Sequence, residues 1–257
     1  MYFLFPFQVS YLYSGGNDCN YSDRCAKFRE MILRYQSFGQ GEPLVILHGL
    51  FGSSDNWRTI ARSLENRFQT ILPDARNHGL SFRDPVMNYE AMADDLKKLL
   101  EHLNLSKIIL LGHSMGGKTA MAFAVRYPEQ IKKLIVVDIA LKESRHHDHI
   151  FKAWRDGNLN EISDIRERQF IAKSIKKTDF DALEKNYSTL AGVPNLSGNF
   201  NEPTLWIRGE KSDYVLDEDW SKIQARFPKA ELATISGAGH WVHADAPEEF
   251  LKLIGQV

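Results

Sequence analysis

Cysteine is scarce in this chain: its 257 residues include only Cys19 and Cys25, both close to the N-terminus. Two neighbouring cysteines cannot staple a chain of this length, so a disulfide framework is excluded as the basis of the fold, and a reduced, cytoplasmic location is expected. Both residues also lie outside every motif described below, which argues against a catalytic thiol.

An excess of one charge and a long apolar run are lacking as well. Lys and Arg number 32 against 33 Asp and Glu, a formal net charge of -1, so the chain has no bulk attraction for nucleic acid or an anionic membrane surface. The apolar run at positions 1–13 lacks a basic flank and is too short to cross a bilayer as a helix. We therefore predict a small-molecule partner, with no nucleic acid and no membrane.

The first 30 residues differ from the rest of the sequence, because the pattern of a folded domain begins only at Met31. From there the sequence MILRYQSFGQGEPLVILHG is typical of a first strand. Residues 1–30 are interpreted as an N-terminal extension that is either disordered or not native to the domain, and no function is assigned to them.

Short apolar runs rich in β-branched residues recur beyond Met31, and segments with helical spacing separate them. The clearest helical segment places Tyr89, Met92, Leu96 and Leu99 on one face, with charged residues opposite. This alternation predicts an α/β fold with a mostly parallel central sheet flanked by helices. The predicted strands are Leu44–Leu47, Thr70–Leu72, Ile108–Leu111, Leu134–Val137, Thr204–Ile207 and Leu232–Ile235.

One long segment, residues 141–200, contains no convincing buried strand. It carries polar helical patterns instead, at Ile162–Ile175 and Phe180–Tyr187. An insertion after the carboxyl end of a strand lies over the crevice where open α/β sheets bind ligands. We therefore predict a small helical cap at residues 141–200, inserted into a core formed by residues 31–140 and 201–257.

The segment GHSMG at positions 112–116 lies between a predicted strand and a run of good helix formers. A Gly-x-Ser-x-Gly segment in a strand–turn–helix setting is the nucleophile elbow of the α/β-hydrolase fold. The turn is so tight that the serine backbone is strained and larger side chains two residues away on either side would collide, so glycine is needed there. We therefore expect an α/β-hydrolase fold with Ser114 as the nucleophile.

A second glycine-rich segment, HGLFG at positions 48–52, directly follows the first of the predicted strands. Such a turn can aim a backbone N–H at the active site and supply an oxyanion donor. The predicted oxyanion hole consists of the amide of Met115 and the amide of Leu50, with Phe51 as the neighbouring alternative. His48 is interpreted as a structural histidine that ties loops together.

The general base is predicted from the segment GAGHW at positions 237–241, after the last predicted strand. A serine hydroxyl is a poor nucleophile at neutral pH and needs a base within hydrogen-bond reach. His240 fits this role, because it follows Ser114 in the order serine, acid, histidine that the fold requires. The nearby His243 is interpreted as a surface loop residue.

Two aspartates at strand ends, Asp138 and Asp213, lie between the serine and the histidine in the sequence. A carboxylate in such a place orients the imidazole and stabilises the imidazolium that forms during attack. The residues themselves leave both aspartates open as the acid.

Six segments carry a further similarity: HGLFGSSDNW, DARNHGLS, RDPVMNY, GHSMGG, VVDIA and GAGHWVHADAP. They resemble the small bacterial YbfF-type esterases, roughly from Met31 to the C-terminus. In many α/β hydrolases the acid follows the strand after the cap in a G-x-x-D-x-x-V pattern, but Ser212 occupies that position here and Asp213 comes one residue late. YbfF-type esterases take the acid from the V-D-I-A motif, so the resemblance implies Asp138. The short, polar cap departs from that family and weakens inferences about acyl-chain length.

Substrate contacts are predicted from residues beside these motifs, namely Phe51, His113 and Trp241. The histidine-rich run Arg145–His149 is interpreted as a solvated entrance to the cap and not as a metal site, because adjacent residues on a helix diverge. Neither a metal nor an organic cofactor is predicted.

Taken together, these residues predict a serine hydrolase that cleaves small carboxylic esters or acyl thioesters through an acyl-enzyme on Ser114. A carbon–carbon bond hydrolase, a perhydrolase or a lyase built on the same triad remains open, because only the shape and polarity of the pocket separate these enzymes. A ligand-binding receptor on the same scaffold is the alternative outside enzymes.

Overall fold

The computed structural model describes residues 31–256, and the N-terminal extension predicted at residues 1–30 lies outside this range. The strands are β1 (Tyr35–Phe38), β2 (Glu42–Leu47), β3 (Phe68–Pro73), β4 (Ile108–His113), β5 (Ile131–Val137), β6 (Thr204–Gly209) and β7 (Ala230–Ile235). They form one sheet of seven strands in the order β1-β3-β2-β4-β5-β6-β7. β1 is antiparallel to β3, and every other neighbouring pair runs parallel. The predicted strands and the mostly parallel sheet are confirmed.

Helices accompany the sheet on both faces. Within the described range they are α1 (Arg58–Leu64), α2 (Tyr89–His102), α3 (Met115–Arg126), α4 (Asp148–Arg155), α5 (Ile165–Ser174), α6 (Phe180–Lys185), α7 (Tyr187–Ala191), α8 (Trp220–Arg226), α9 (Val242–Asp245) and α10 (Pro247–Ile254). None of these helices is both long enough and apolar enough to cross a membrane.

Alternate residues of the central strands point to opposite faces of the sheet, which explains why these strands are apolar throughout. In β2, Val45 and Leu47 pack on the side of α2 and α3, whereas Leu44 and Ile46 pack on the side of α1 and α10. Both faces of the central strands are therefore shielded from water, as the predicted α/β architecture requires.

The connections around β2 create a crevice at one edge of the sheet. β2 lies between β3 and β4, and the chain passes from β2 to β3 on one side and later returns to β4 on the other. Loops that follow two such strands diverge and leave a crevice outside their carboxyl ends. The segment 48–52 after β2 and Ser114 after β4 border this crevice.

The chain between β5 and β6, residues 138–203, forms helices α4 to α7 and no strand. Lys118 of α3 fastens this segment, because its buried ammonium donates to the carbonyls of Lys142 (3.0 Å), Ala191 (2.9 Å) and Gly192 (2.6 Å). Burial lowers the pKa of Lys118 to about 8. The division into a core and a cap at residues 141–200 stays a prediction.

A buried ion pair holds the turn after β3 against α2. The Arg76 guanidinium donates two parallel hydrogen bonds to Asp95, at 2.6 and 2.8 Å, and a third to the carbonyl of Val86 at 2.7 Å. The Arg76 and Asp95 side chains are only 8% and 2% exposed. Burial raises the pKa of Asp95, and the hydrogen bonds from Arg76 oppose that rise. Each charge therefore depends on the other.

We predict that Asp95→Ala lowers the free energy of unfolding by about 3 kcal/mol, because the buried Arg76 charge loses its two-bond partner and keeps only the more distant Asp84 carboxylate at 3.6 Å. Urea denaturation at neutral pH measures the change. Asp94→Ala is the matched control: Asp94 lies next to Asp95 on α2 and pairs with Arg126 at 3.1 Å on the surface, so its loss costs less than about 1 kcal/mol. Equal losses in the two variants would contradict the prediction.

Candidate active site

Ser114 lies at the turn between β4 and α3 in a strained backbone conformation, with φ = 54° and ψ = -119°. A Cβ at Gly112 would lie 2.2 Å from the carbonyl oxygen of Gly116, and a Cβ at Gly116 would lie 2.4 Å from that of Leu47. Both distances are far below van der Waals contact, so only glycine fits on either side of the serine. The predicted strand–turn–helix setting is present.

Asp138 begins the connection after β5 and is completely buried. Its Oδ2 lies 2.8 Å from His240 Nδ1, and its Oδ1 accepts the Gly209 amide at 3.0 Å. Since a carboxylate accepts, Nδ1 of His240 carries the proton and Nε2 is left as the basic nitrogen. The Asp213 side chain is 71% exposed and lies 4.0 Å from His146 instead. The structure therefore brings Asp138 to His240.

Ser212 is a member of the site that the sequence motifs did not assign. Its hydroxyl donates to Asp138 Oδ2, the same oxygen that His240 contacts. The signal was its place in the pattern: Ser212 stands where many α/β hydrolases have the acid. The Ser212 side chain reaches the Asp138 carboxylate, so a serine at this position supports an acid that comes from the neighbouring strand.

Burial sets the protonation of the His240–Asp138 pair. Desolvation lowers the pKa of His240 to about 3, so a lone imidazolium is disfavoured at this place. Desolvation also raises the pKa of Asp138 to about 7, although the hydrogen bonds from Ser212 and Gly209 oppose that rise. The imidazole is therefore uncharged in the resting site, as a general base must be.

Two aromatic rings contact the imidazole of His240. The Tyr214 ring is stacked on it, with centroids 3.7 Å apart and planes 14° from parallel. His113 approaches it with centroids 4.7 Å apart, and His113 Nε2 donates to the His240 carbonyl at 2.9 Å. These contacts restrict rotation of the ring, so the hydrogen bond to Asp138 keeps one geometry.

The loop after β2 is fastened by two buried histidines. His48 Nε2 accepts the Ala75 amide at 3.0 Å, and its Nδ1 therefore donates to the Gly49 carbonyl at 2.8 Å. His78 Nε2 accepts the amide of Phe51 at 3.2 Å. The structural interpretation of His48 agrees with these bonds.

The same bonds distinguish the two candidate amides of the predicted oxyanion hole. The N–H of Phe51 is engaged by His78. The N–H of Leu50, one residue earlier, remains the predicted donor from this loop. The other predicted donor is the N–H of Met115, which directly follows Ser114. Leu50 and Ser114 line the same cavity.

A cavity of about 520 Å³ contains both Ser114 and His240 among its lining residues. The three predicted substrate contacts, Phe51, His113 and Trp241, line it as well. One wall is apolar and is built from helices α4 and α5 together with two segments of the core. Its members are Phe51, Ile150, Phe170, Ile171 and Trp241. Within residues 31–256, no cluster of three or more His, Cys, Asp and Glu side chains could hold a metal ion.

The interpretation of His243 as a surface loop residue is wrong. Its side chain is only 9% exposed, and its ring is stacked on that of Trp57 with centroids 3.9 Å apart. The ring of His113 contacts the ring of His243 edge-on, with centroids 5.2 Å apart. Trp57 and His243 are far apart in the sequence, so no local pattern at His243 could reveal this contact.

Comparisons with known proteins agree with the fold described above. A family model described as alpha/beta hydrolase fold matches residues 42–182. Esterase YbfF of Escherichia coli strain K12 is 38% identical over 242 residues, which cover 85% of this chain and 94% of that protein. An sn-1-specific diacylglycerol lipase of Danio rerio is 34% identical and matches over 84% of this chain and 78% of its own length.

A solved structure described as a marine microorganism esterase superposes with a TM-score of 0.82 at 36% identity, and the match covers 88% of this chain and 99% of that one. The predicted resemblance to the YbfF-type esterases is thereby confirmed. With its elbow serine, its mostly parallel sheet and these relatives, the chain belongs to the α/β-hydrolase fold family.

Proposed function

We propose that this α/β hydrolase is a carboxylic ester hydrolase that cleaves small esters or acyl thioesters through an acyl-enzyme on Ser114. The observation that carries the proposal is the 2.8 Å contact of His240 Nδ1 with the buried carboxylate of Asp138. It leaves Nε2 as a base in the cavity that Ser114 lines. The names of the relatives, two esterases and a lipase, support the ester hydrolase class.

The reaction proceeds in two steps. His240 Nε2 takes the proton of the Ser114 hydroxyl, and Ser114 Oγ attacks the carbonyl carbon of the ester. The amides of Leu50 and Met115 receive the negative charge of the oxyanion, and each such donor contributes about 10²–10³-fold to the rate. His240 returns the proton to the departing alcohol. A water molecule, deprotonated by the same imidazole, then hydrolyses the acyl-enzyme.

The size of the cavity supports a small substrate. Its volume of about 520 Å³ lies in the range of pockets that enclose small ligands. Its lining combines apolar residues with polar ones, among them Asp164, Arg166 and Glu167, so it offers contacts to both apolar and polar parts of an ester. A cytoplasmic location remains the prediction drawn from cysteine usage.

Ser114→Ala tests the proposal as a whole. We expect turnover of short-chain nitrophenyl esters to fall by about 10³-fold or more, because both steps need the serine oxygen. The cavity wall and the elbow glycines are unchanged, so the melting temperature should stay close to that of the wild type. A fluorophosphonate should label the wild type at Ser114 and leave the variant unlabelled. A wild type that neither turns over esters and thioesters nor becomes labelled would point to the receptor alternative.

Asp138→Asn and Asp213→Asn test the choice of the acid. An asparagine at position 138 presents an N–H to the imidazole and favours the wrong tautomer, so kcat should fall by about 10³-fold or more. Asp213→Asn should retain kcat within about threefold, because an exposed side chain without contact to His240 contributes little. Single-turnover and steady-state kinetics measure both. The reverse pattern would assign the acid to Asp213.

The pH profile of kcat/KM tests the protonation of the pair. Burial raises the pKa of Asp138 from 3.8 to about 7. Above that pH the carboxylate accepts from Nδ1 and leaves Nε2 basic. Below it the protonated carboxyl donates to Nδ1 and forces the proton onto Nε2. We therefore expect activity to fall as the pH drops below about 7.

Ser212→Ala should shift the fall in activity at low pH, the acid limb of the profile, to higher pH. The reason is that the hydrogen bond from Ser212 lowers the pKa of Asp138. Ser236→Ala is the matched control: its hydroxyl bonds to the exposed Glu210, so the limb should not move. A limb that stays in place in the Ser212 variant would contradict the assignment.

A further inference from the structure

Asp245, at the end of α9, makes two hydrogen bonds with different parts of the molecule. Its Oδ2 accepts the backbone amide of Gly239 at 2.9 Å. Its Oδ1 accepts from Arg166 Nη1 at 2.8 Å. The Asp245 side chain is 17% exposed, against 57% for that of Arg166. One carboxylate thus contacts both the loop before His240 and helix α5.

The first contact lies next to the proposed base, because Gly239 immediately precedes His240. At its other end the same loop is held by Glu210, which accepts the amide of Gly237 at 2.8 Å, and by the carbonyl of Ala238, which accepts the amide of Lys211 at 2.9 Å. His113 donates to the carbonyl of His240 itself at 2.9 Å, and Asp245 holds the preceding residue, Gly239. Loss of the Gly239 bond would loosen the chain on the N-terminal side of His240.

The second contact joins two residues that line the cavity. Arg166 belongs to α5, in the segment predicted as the cap, and its guanidinium carbon lies 5.2 Å from the ring centroid of Trp241. The Phe170 ring, also on α5, lies 5.5 Å from the same indole. Arg166, Trp241 and Asp245 all line the cavity. The carboxylate therefore joins α5 to the loop of the base within the lining of the cavity.

We propose that Asp245 is a positioning residue for hydrolysis, which holds the loop carrying His240 in place and joins that loop to α5 through Arg166. The inference rests on the proposed function, because it requires His240 to act as the base. A displacement of a catalytic group by about 1 Å can cost as much as 10²-fold in rate. An exposed ion pair contributes little to stability, so the main effect of Asp245 is on geometry.

Three variants separate the two contacts. Asp245→Asn keeps an amide oxygen for Gly239 and loses the charge that pairs with Arg166. Asp245→Ala loses both contacts. Arg166→Gln loses the ion pair and keeps Asp245 on Gly239. Glu184→Gln is the control, since it breaks another surface ion pair, with Arg155 at 3.2 Å, outside the lining of the cavity.

Purified full-length variants are compared by kcat, KM and melting temperature with a nitrophenyl ester, and rates are normalised to the fraction that a fluorophosphonate labels. We expect Asp245→Ala to lower kcat by about tenfold or more while KM changes less than about threefold. Asp245→Asn should recover kcat to within about threefold of the wild type, because it restores the acceptor for Gly239. Glu184→Gln should also keep kcat within that range, and Arg166→Gln should lower kcat less than Asp245→Ala does, because it leaves Asp245 on Gly239. Asp245→Ser replaces the alanine variant if the latter does not fold.

Two outcomes overturn the inference. In one, the alanine variant keeps the wild-type kcat. In the other, Asp245→Asn is no more active than Asp245→Ala, so the Gly239 bond has no part in the effect. A purely structural role would lower the melting temperature and leave the normalised kcat unchanged. A wild type that is neither labelled nor active would instead overturn the proposed function together with the inference.

Discussion

The burial of one carboxylate organises this molecule. Asp138 has no exposed surface, and a buried charge is tolerated only where hydrogen bonds replace the lost water. The amide of Gly209, the hydroxyl of Ser212 and the imidazole of His240 supply those bonds. The carboxyl end of β6 and the connection after β7 therefore converge on the side chain of Asp138, which follows β5. Their convergence gives His240 a single orientation above the sheet.

Neutral histidines near this carboxylate also hold loops together through hydrogen bonds. Desolvation lowers the pKa of His48, His78 and His113, so each ring keeps one N–H donor and one acceptor. Backbone groups of different loops occupy both nitrogens of His48 and His78. Such rings join loops without adding charge beside the proposed base. The abundance of histidine near the cavity thus follows from loop attachment, and it does not require a metal.

Both a buried contact and an exposed contact attach the helices between β5 and β6 to the sheet and its flanking helices. Buried Lys118 donates to three carbonyls near the ends of that segment. Exposed Arg166 forms an ion pair with Asp245 in the lining of the cavity. The first attachment is shielded from water and is therefore firm, and the second is open to solvent and weak. Helix α5 is therefore held less firmly at Asp245 than the ends of the segment are held by Lys118.

The sequence by itself determined six of the seven strands, the elbow at Ser114 and the candidacy of His240, because each depends on local features: apolar runs, glycines beside a tight turn, and chain order. The edge strand β1 was not predicted, since it has no buried residue. The sequence left Asp138 and Asp213 open by residue type, and only the tertiary structure separated them, since the distance from a carboxylate to His240 depends on how strands pack. The same holds for Leu50 against Phe51, where a hydrogen bond to distant His78 decides which amide is engaged. His243 was misjudged for this reason too: burial against Trp57 arises from a contact between segments far apart in the chain, and no local pattern encodes it.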